Sequence, residues 1–223
     1  DDLTAKAQEM GATTKFTATE SAEAFNYMAM AGWKPQQMID GISGIMSLAA
    51  ASGEDLGTTS DIVTDALTAF GLQAGDAGHF ADVLAQASAN ANTNVSMLGE
   101  SFKYVAPVAG AMNYSVEDTS LALGLMANAS IKGSMAGTAL KTSLANMAAP
   151  TDSMAAAMDK YGISLTDSEG NMKSLRGVID NLRGSLGGLS ETEQTAAAST
   201  IFGKEAMLSL IHISEPTRHL RIS

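Results

Sequence analysis

The stretch TATESAEAFNYMAMAGWKPQQMIDGISGIMSLAAASG, residues 17–53, decides the fold class. Thr17 and Glu20 read as a capping box. A hydroxyl at the N-cap faces the amide three residues on, and the carboxylate there reaches back. Ala22, Phe25, Met28 and Ala29 then recur at helical spacing. Gly32 closes that helix. Pro35 suits the first turn of the next, where its missing N–H removes nothing. The second helix runs to about Ala51 and ends at Gly53. Two helices joined by a short polar corner predict a helical hairpin.

The same grammar extends outward in both directions. Leu3 to Met10 reads as the end of a helix stopped by Gly11. Thr59 to Phe70 carries an apolar stripe of Ile62, Ala66, Leu67 and Phe70 and stops at Gly71. Asp76 to Ala89 places Phe80, Val83, Leu84 and Ala87 on one face, and Asn90 to Asn94 is a polar break. Ser96 to Met112 predicts a helix that Pro107 kinks or divides. Ser115 to Asp118 resembles a second capping box, with Asp in place of Glu, ahead of a helix over Val116 to Ala129. Further helices are expected through Ala148 (stopped by Pro150), over Asp152 to Tyr161 (closed by Gly162) and over Leu175 to Leu186. Ser190 to Glu193 caps a last one through Ile201. No strict repeat of fixed period is evident.

Residues 163–175 change character. Ile163-Ser164-Leu165-Thr166 alternates, and Asp167 to Asn171 supplies turn chemistry, so a small β-hairpin is expected. The predicted fold is therefore all-α, an array of antiparallel helical hairpins with one β-hairpin insertion at 163–175. The expected division is a helical core over 1–162, the hairpin at 163–175, and C-terminal helices of the core over 176–207. Residues 208–223 form a foreign tail. From Leu208 to Ser223 the chain has no Ala, no Gly and two of its three His residues. That string resembles a translated sequencing-adapter read-through, with the natural chain diverging near Met207. A genuine amphipathic tail is the alternative.

Composition narrows function. The chain has 223 residues, is 45% hydrophobic and only 5% aromatic, and carries 14 Met. Ala and Met favour helix, and small faces let helices approach closely. The net charge of −11 argues against direct wrapping of nucleic acid, which needs basic patches. With no Cys there is neither a disulfide framework nor a thiolate site. The apolar run Ile42 to Ala51 is shorter than the roughly 20 residues of a membrane span. The start at Asp1-Asp2 lacks a basic leader, and the missing Met suggests that the chain begins inside a longer one.

Candidate chemistry is sparse. His79 with Asp76 and Asp82 could ligate a metal, but reads better as a surface cluster near a helix start. Glu54, Asp55, Asp61 and Asp65 could form an acid/base pair, yet no Trp or Tyr cluster stands by to bind sugar. They read as charges favoured near helix N-termini. Gly133-Ser134-Met135-Ala136-Gly137 is neither a nucleophile elbow nor a phosphate loop; its glycines suit tight turning and close packing. Trp33 reads as core at a helix corner, with a partner-binding anchor as the alternative. The methionines read as core fillers. No catalytic, cofactor-binding or metal residue is assigned, and no cofactor is called for.

Several segments together resemble the core of the phage tail tape measure family. They are Thr14 to Ala18, Ala29 to Trp33, Leu48 to Leu56, Ala69 to Leu72, Tyr104 to Val108, Ile131 to Leu140, Asp167 to Asn171 and Ile201 to Ala206. They stand in the family's order over about residues 5–207. The resemblance implies a structural, non-enzymatic protein of the phage or prophage tail that sets tail length and occupies the tube lumen. It is built in the bacterial host cytoplasm and found in the virion tail. Implied partners are the tail tube protein, tail assembly chaperones and baseplate or tail-tip proteins. No direct nucleic-acid binding and no stable membrane span are expected, and a homo-oligomer stays open. A helix of this length would span only about 330 Å, so a ruler needs a longer parent chain. The competing readings are a region bordering a cell-wall-degrading domain and a small membrane-active or binding protein.

Overall fold

The computed structural model describes residues 2–203; the tail expected at 208–223 lies outside them. Among the described residues stand eleven α-helices, one 3-10 turn and no strand. They are α1 (Asp2–Thr13), α2 (Ala18–Met30), α3 (Pro35–Ser52), α4 (Leu56–Phe70), α5 (Ala77–Asn90, preceded by the 3-10 turn Ala74–Asp76), α6 (Val95–Ala111), α7 (Val116–Asn128), α8 (Gly133–Ala148), α9 (Asp152–Tyr161), α10 (Leu175–Leu186) and α11 (Glu191–Phe202). The all-α class stands.

Helix ends follow local chemistry. Thr17 accepts from the Glu20 amide at 3.1 Å, and the Glu20 carboxylate takes the Thr17 amide at 2.7 Å, which completes the capping box of α2. Ser190 and Glu193 close the same box on α11. Pro35 occupies the first turn of α3. Asp55 caps α4 by accepting from the Thr58 amide at 2.8 Å, three residues earlier than the expected start at Thr59. Ser115 caps α7, but Asp118 does not complete a box. Its carboxylate instead accepts from the Arg176 amide at 3.0 Å and so caps α10 across the fold. At two positions the helices continue past a local stop signal. Gly11 lies inside α1, against the start of α2, and α6 runs undivided through Pro107.

Five corners share one device. The amides of Trp33, Leu72, Tyr114, Ile131 and Ile163 each donate to the carbonyl five residues back, at 2.8–3.0 Å. The residue before each is left-handed, which turns the chain out of the helix. Glycine supplies that conformation at Gly32, Gly71 and Gly162, whereas Asn113 and Ser130 adopt it at φ 57° and 67°. Asn tolerates the left-handed region through its short polar side chain; Ser is the less usual occupant.

Packing is not mainly between consecutive helices. Helices α2, α4, α6, α8 and α11 form one row, each against the next. Helices α3, α5, α7 and α10 form the other, with α1 against α2 and α3 and α9 against α11. Neighbours within a row meet start to start and end to end. His79 near the start of α5 reaches Glu117 on α7, and the Asn92 amide after α5 donates to Asn128 at the end of α7. In the first row α2, α4, α6 and α8 begin at Ala18, Leu56, Val95 and Gly133, each 38 or 39 residues after the last. The array thus repeats at a period that the sequence hides, because its equivalent positions hold different residues. Such layouts are α-solenoid-like, with each unit touching mainly its neighbours.

The register of the row is set where side chains are absent. Gly99, fifth in α6, lies on Ile62, seventh in α4, and Gly137, fifth in α8, lies on the backbone of Ser101, seventh in α6. The Ser101 hydroxyl then donates to the Gly133 carbonyl at 2.8 Å, pinning the start of α8. Further along, Gly110 lies on the Ala69 carbonyl, and in the other row Gly44 lies on the start of α5. Phe102 receives Phe70 from its own row and Phe80 from the other edge-on, with ring centroids 5.8 and 5.7 Å away. Residues Leu121 to Ala127 of α7 are buried without interruption, so this helix is covered on all sides.

The β-hairpin expected at 163–175 is corrected. The segment makes one isolated antiparallel bridge, Thr166 to Met172, around the turn held by Asp167. Its arms are too short for strands. Ile163 belongs to the corner of α9, the Ser164 amide is taken by Asn181 at 2.9 Å, and Ser174 is already the N-cap of α10.

Two predictions follow from this packing. Gly137→Ala and Gly110→Ala push a methyl group into a neighbouring carbonyl and should each cost about 1–3 kcal/mol in urea unfolding, despite alanine's better helix propensity. Gly184→Ala on α10 meets nothing and should gain about 0.5–1 kcal/mol. Equal effects at the three sites would refute the close-approach account. The second concerns acid. Hydrogen bonds from Thr17 and Ser190 hold the Glu20 and Glu193 carboxyls below their ordinary value of 4.5. Their contribution is present above that pH and is lost as pH falls through the depressed value. Glu20→Ala and Glu193→Ala should therefore destabilise at pH 7, and the loss should shrink progressively as pH falls below the ordinary carboxyl value. A pH-independent loss in denaturation midpoint would contradict this.

Candidate interaction surface

The sequence candidates scatter in the fold. The Nε2 of His79 meets Glu117 Oε1 at 2.6 Å on the exposed starts of α5 and α7, while Asp76 accepts from the Gln73 amide and ends the 3-10 turn. Burial opposes ionisation of Glu117, but its own backbone amide and His79 outweigh it and keep the carboxyl low. No group of three or more potential metal ligands gathers among the described residues. Trp33 is half-buried, with its ring against Gly41 of α3. The glycines at 133 and 137 serve the α6–α8 contact. No helix of the described residues is long and apolar enough to cross a membrane.

What sequence reading missed is an asymmetry between the two rows. Helical spacing predicts core methionines, and Met28, Met46 and Met126 are buried. Met30 is 83% exposed, however, and Met135 64%. Of the six large apolar residues exposed among the described residues, Tyr27, Met30, Met97, Tyr104 and Met135 all lie on α2, α6 and α8. The sixth, Met172, is in the 163–174 connection. The row α3, α5, α7 and α10 shows none. Register accounts for the clustering. Met97 and Met135 are each third in their helix, and Tyr27, Asp65 and Tyr104 are each tenth. Equivalent positions face the same side, so an exposed Met or Tyr in several helices makes a surface.

A groove crosses this surface between α4 and α6. Its wider part encloses about 500 Å³ over Ile62, Ala66, Ala69, Gly99, Phe102 and Ala106, and a shallower part of about 330 Å³ continues to Met97 and Gly133. Small residues leave the hollow, because Gly99 and the alanines do not fill the space between the helix axes. The rim is charged. Asp61 and Asp65 stand on α4, and Glu100 and Lys103 stand on α6 with 3.9 Å between them. Burial, then the charge of Asp61, pushes the Asp65 carboxyl up from its ordinary value, while Lys103 pulls it down in part. Pro107, which has no N–H to donate to the Lys103 carbonyl, stands in the α6 wall. Nothing in this arrangement resembles a nucleophile with a base. It is a surface hollow, apolar at its floor and acidic at its edge.

Comparison with known proteins places these features. A family model described as "Phage-related minor tail protein" matches residues 4–203. The chain is 40% identical to the "Tape measure protein" of Pneumococcus phage Dp-1 over 206 residues, which is 92% of this chain and 18% of that protein. It is 27% identical, again over 92% of its length, to the "Probable tape measure protein" of Escherichia phage P2, covering 25% of it. The chain thus spans a quarter or less of the length of the curated relatives that it matches. No solved structure matches. With nearly every described residue inside the matched range, the chain belongs to the phage-related minor tail protein family.

Proposed function

We propose that this chain is a folded segment of a phage tape measure protein, which sets tail length and occupies the tail tube lumen. The observation that carries the reading is the 40% identity to a tape measure protein across nearly the whole chain. The packing supports it. Antiparallel helical hairpins stacked in one register make a structure that grows by addition, with small Gly and Ala contacts and an acidic, self-repelling surface. In this reading 1–162 and 176–207 form one structural unit, joined through the 163–175 connector.

The segment acts without catalysis and without a cofactor. Its partners are the tail tube protein, tail assembly chaperones and baseplate or tail-tip proteins, met in the bacterial cytoplasm during assembly and afterwards in the virion tail. Length is measured by the whole parent chain. Even as one continuous helix, residues 2–203 would reach only about 300 Å. The compact array therefore contributes an assembly platform more than a measuring rod.

The test is an in-frame deletion of the codons for residues 2–203 from the parent gene in its phage. Electron microscopy of lysates should show tails absent or of unregulated length, with restoration by the intact gene in trans. Infective virions with tails of unchanged length would overturn the proposal.

A further inference from the structure

We infer that the groove between α4 and α6 docks a basic amphipathic helix of a partner protein. The floor is apolar and concave, formed by Ile62, Ala66, Phe102 and Ala106, and both of its walls are helices. A groove of that kind takes a third helix laid along it, with anchors at one-turn spacing. It offers no sheet edge to an extended peptide. On α4 it runs from Thr58 to Thr68, about 15 Å or three turns of a seated helix. Met97 stands at one end, and Ala31, next in the chain to the exposed Met30, lines the other. Methionine adapts to apolar partners of varied shape, and this suits a docking rim better than a catalytic one.

Charge chooses the occupant. Asp61, Asp65 and Glu100 confront the single cation Lys103 on the groove rim. Asp61 and Asp65 lie four residues apart on one helix, where like charges repel. A partner carrying Lys or Arg beside its apolar anchors relieves that repulsion. A second copy of this chain, with net charge −11, brings the wrong sign. The inference does not depend on the tape measure reading, since it concerns only what this surface binds.

The probe is a short, fluorescein-labelled, amphipathic helical peptide of Leu and Lys, titrated with the full chain and followed by anisotropy. A peptide of identical composition with its amphipathic order scrambled serves as control. Micromolar binding of the ordered peptide is expected, with at least about tenfold weaker binding of the scrambled one. The pair Asp61→Asn/Asp65→Asn should weaken binding at least about tenfold, while Asp40→Asn/Asp82→Asn on the opposite row changes it by less than about twofold. Equal binding of both peptides, or equal loss from both aspartate pairs, overturns the inference in favour of general attraction to an acidic protein. Absence of binding up to about 1 mM overturns it outright. Sedimentation of the chain alone covers the remaining occupant. Self-association that Asp61→Asn/Asp65→Asn alters would assign the groove to a second copy and overturn the basic-helix proposal.

Discussion

The structure depends on backbone-to-backbone approach between alternate helices. Gly137 on the Ser101 backbone and Gly110 on the Ala69 carbonyl bring α8 against α6 and α6 against α4, and Gly99 receives the Ile62 side chain in the latter contact. Helical glycine is costly in isolation, by about 0.5–1 kcal/mol relative to alanine. Here the lost side chain is replaced by contact with a neighbouring helix, so close packing recovers what local propensity gives up. Because the offset from fifth residue to seventh recurs, one steric rule propagates along the row. Each helix needs only its neighbour to find its place, and this makes the fold local in space although its partners are some 40 residues apart in sequence.

The corners make that propagation possible. At five of them a left-handed residue followed by an apolar one turns the chain out of the helix. Tyr114 shows both sides of the arrangement. Its backbone amide closes the corner on Ala109, while burial pushes its phenol up to about 12 and leaves its hydroxyl without a partner among the described residues. The ring is held for its size, and its polar tip is tolerated.

The two rows divide the work. The row α3, α5, α7 and α10 contains the fully covered helix α7, and its exposed face is polar. The row α2, α4, α6 and α8 presents Met, Tyr and carboxylates in register. A protein that belongs to an assembly needs one side that sustains its fold and another that meets partners. The asymmetry of exposure gives the described helices one side that is polar at its surface and one that is open and partly apolar.

The sequence by itself determined the helices, because caps, stops and apolar spacing act within a few residues. Thr17 with Glu20, Pro35, Ser190 with Glu193 and the glycines at 32, 53, 71 and 162 did in space what their local chemistry requires. The ordered resemblance also pointed to the tail family, since it rests on residue identity and needs no coordinates. Three things were decided only by tertiary structure. Asp118 caps α10 rather than its own helix because Arg176 arrives from 58 residues away. Residues 163–174 stay a single bridge because the flanking helices claim both arms. Met30, Met97 and Met135 face solvent although methionine usually fills cores, because the row they belong to is left uncovered. In each case the deciding partner is distant in the chain, and a local pattern carries no record of it.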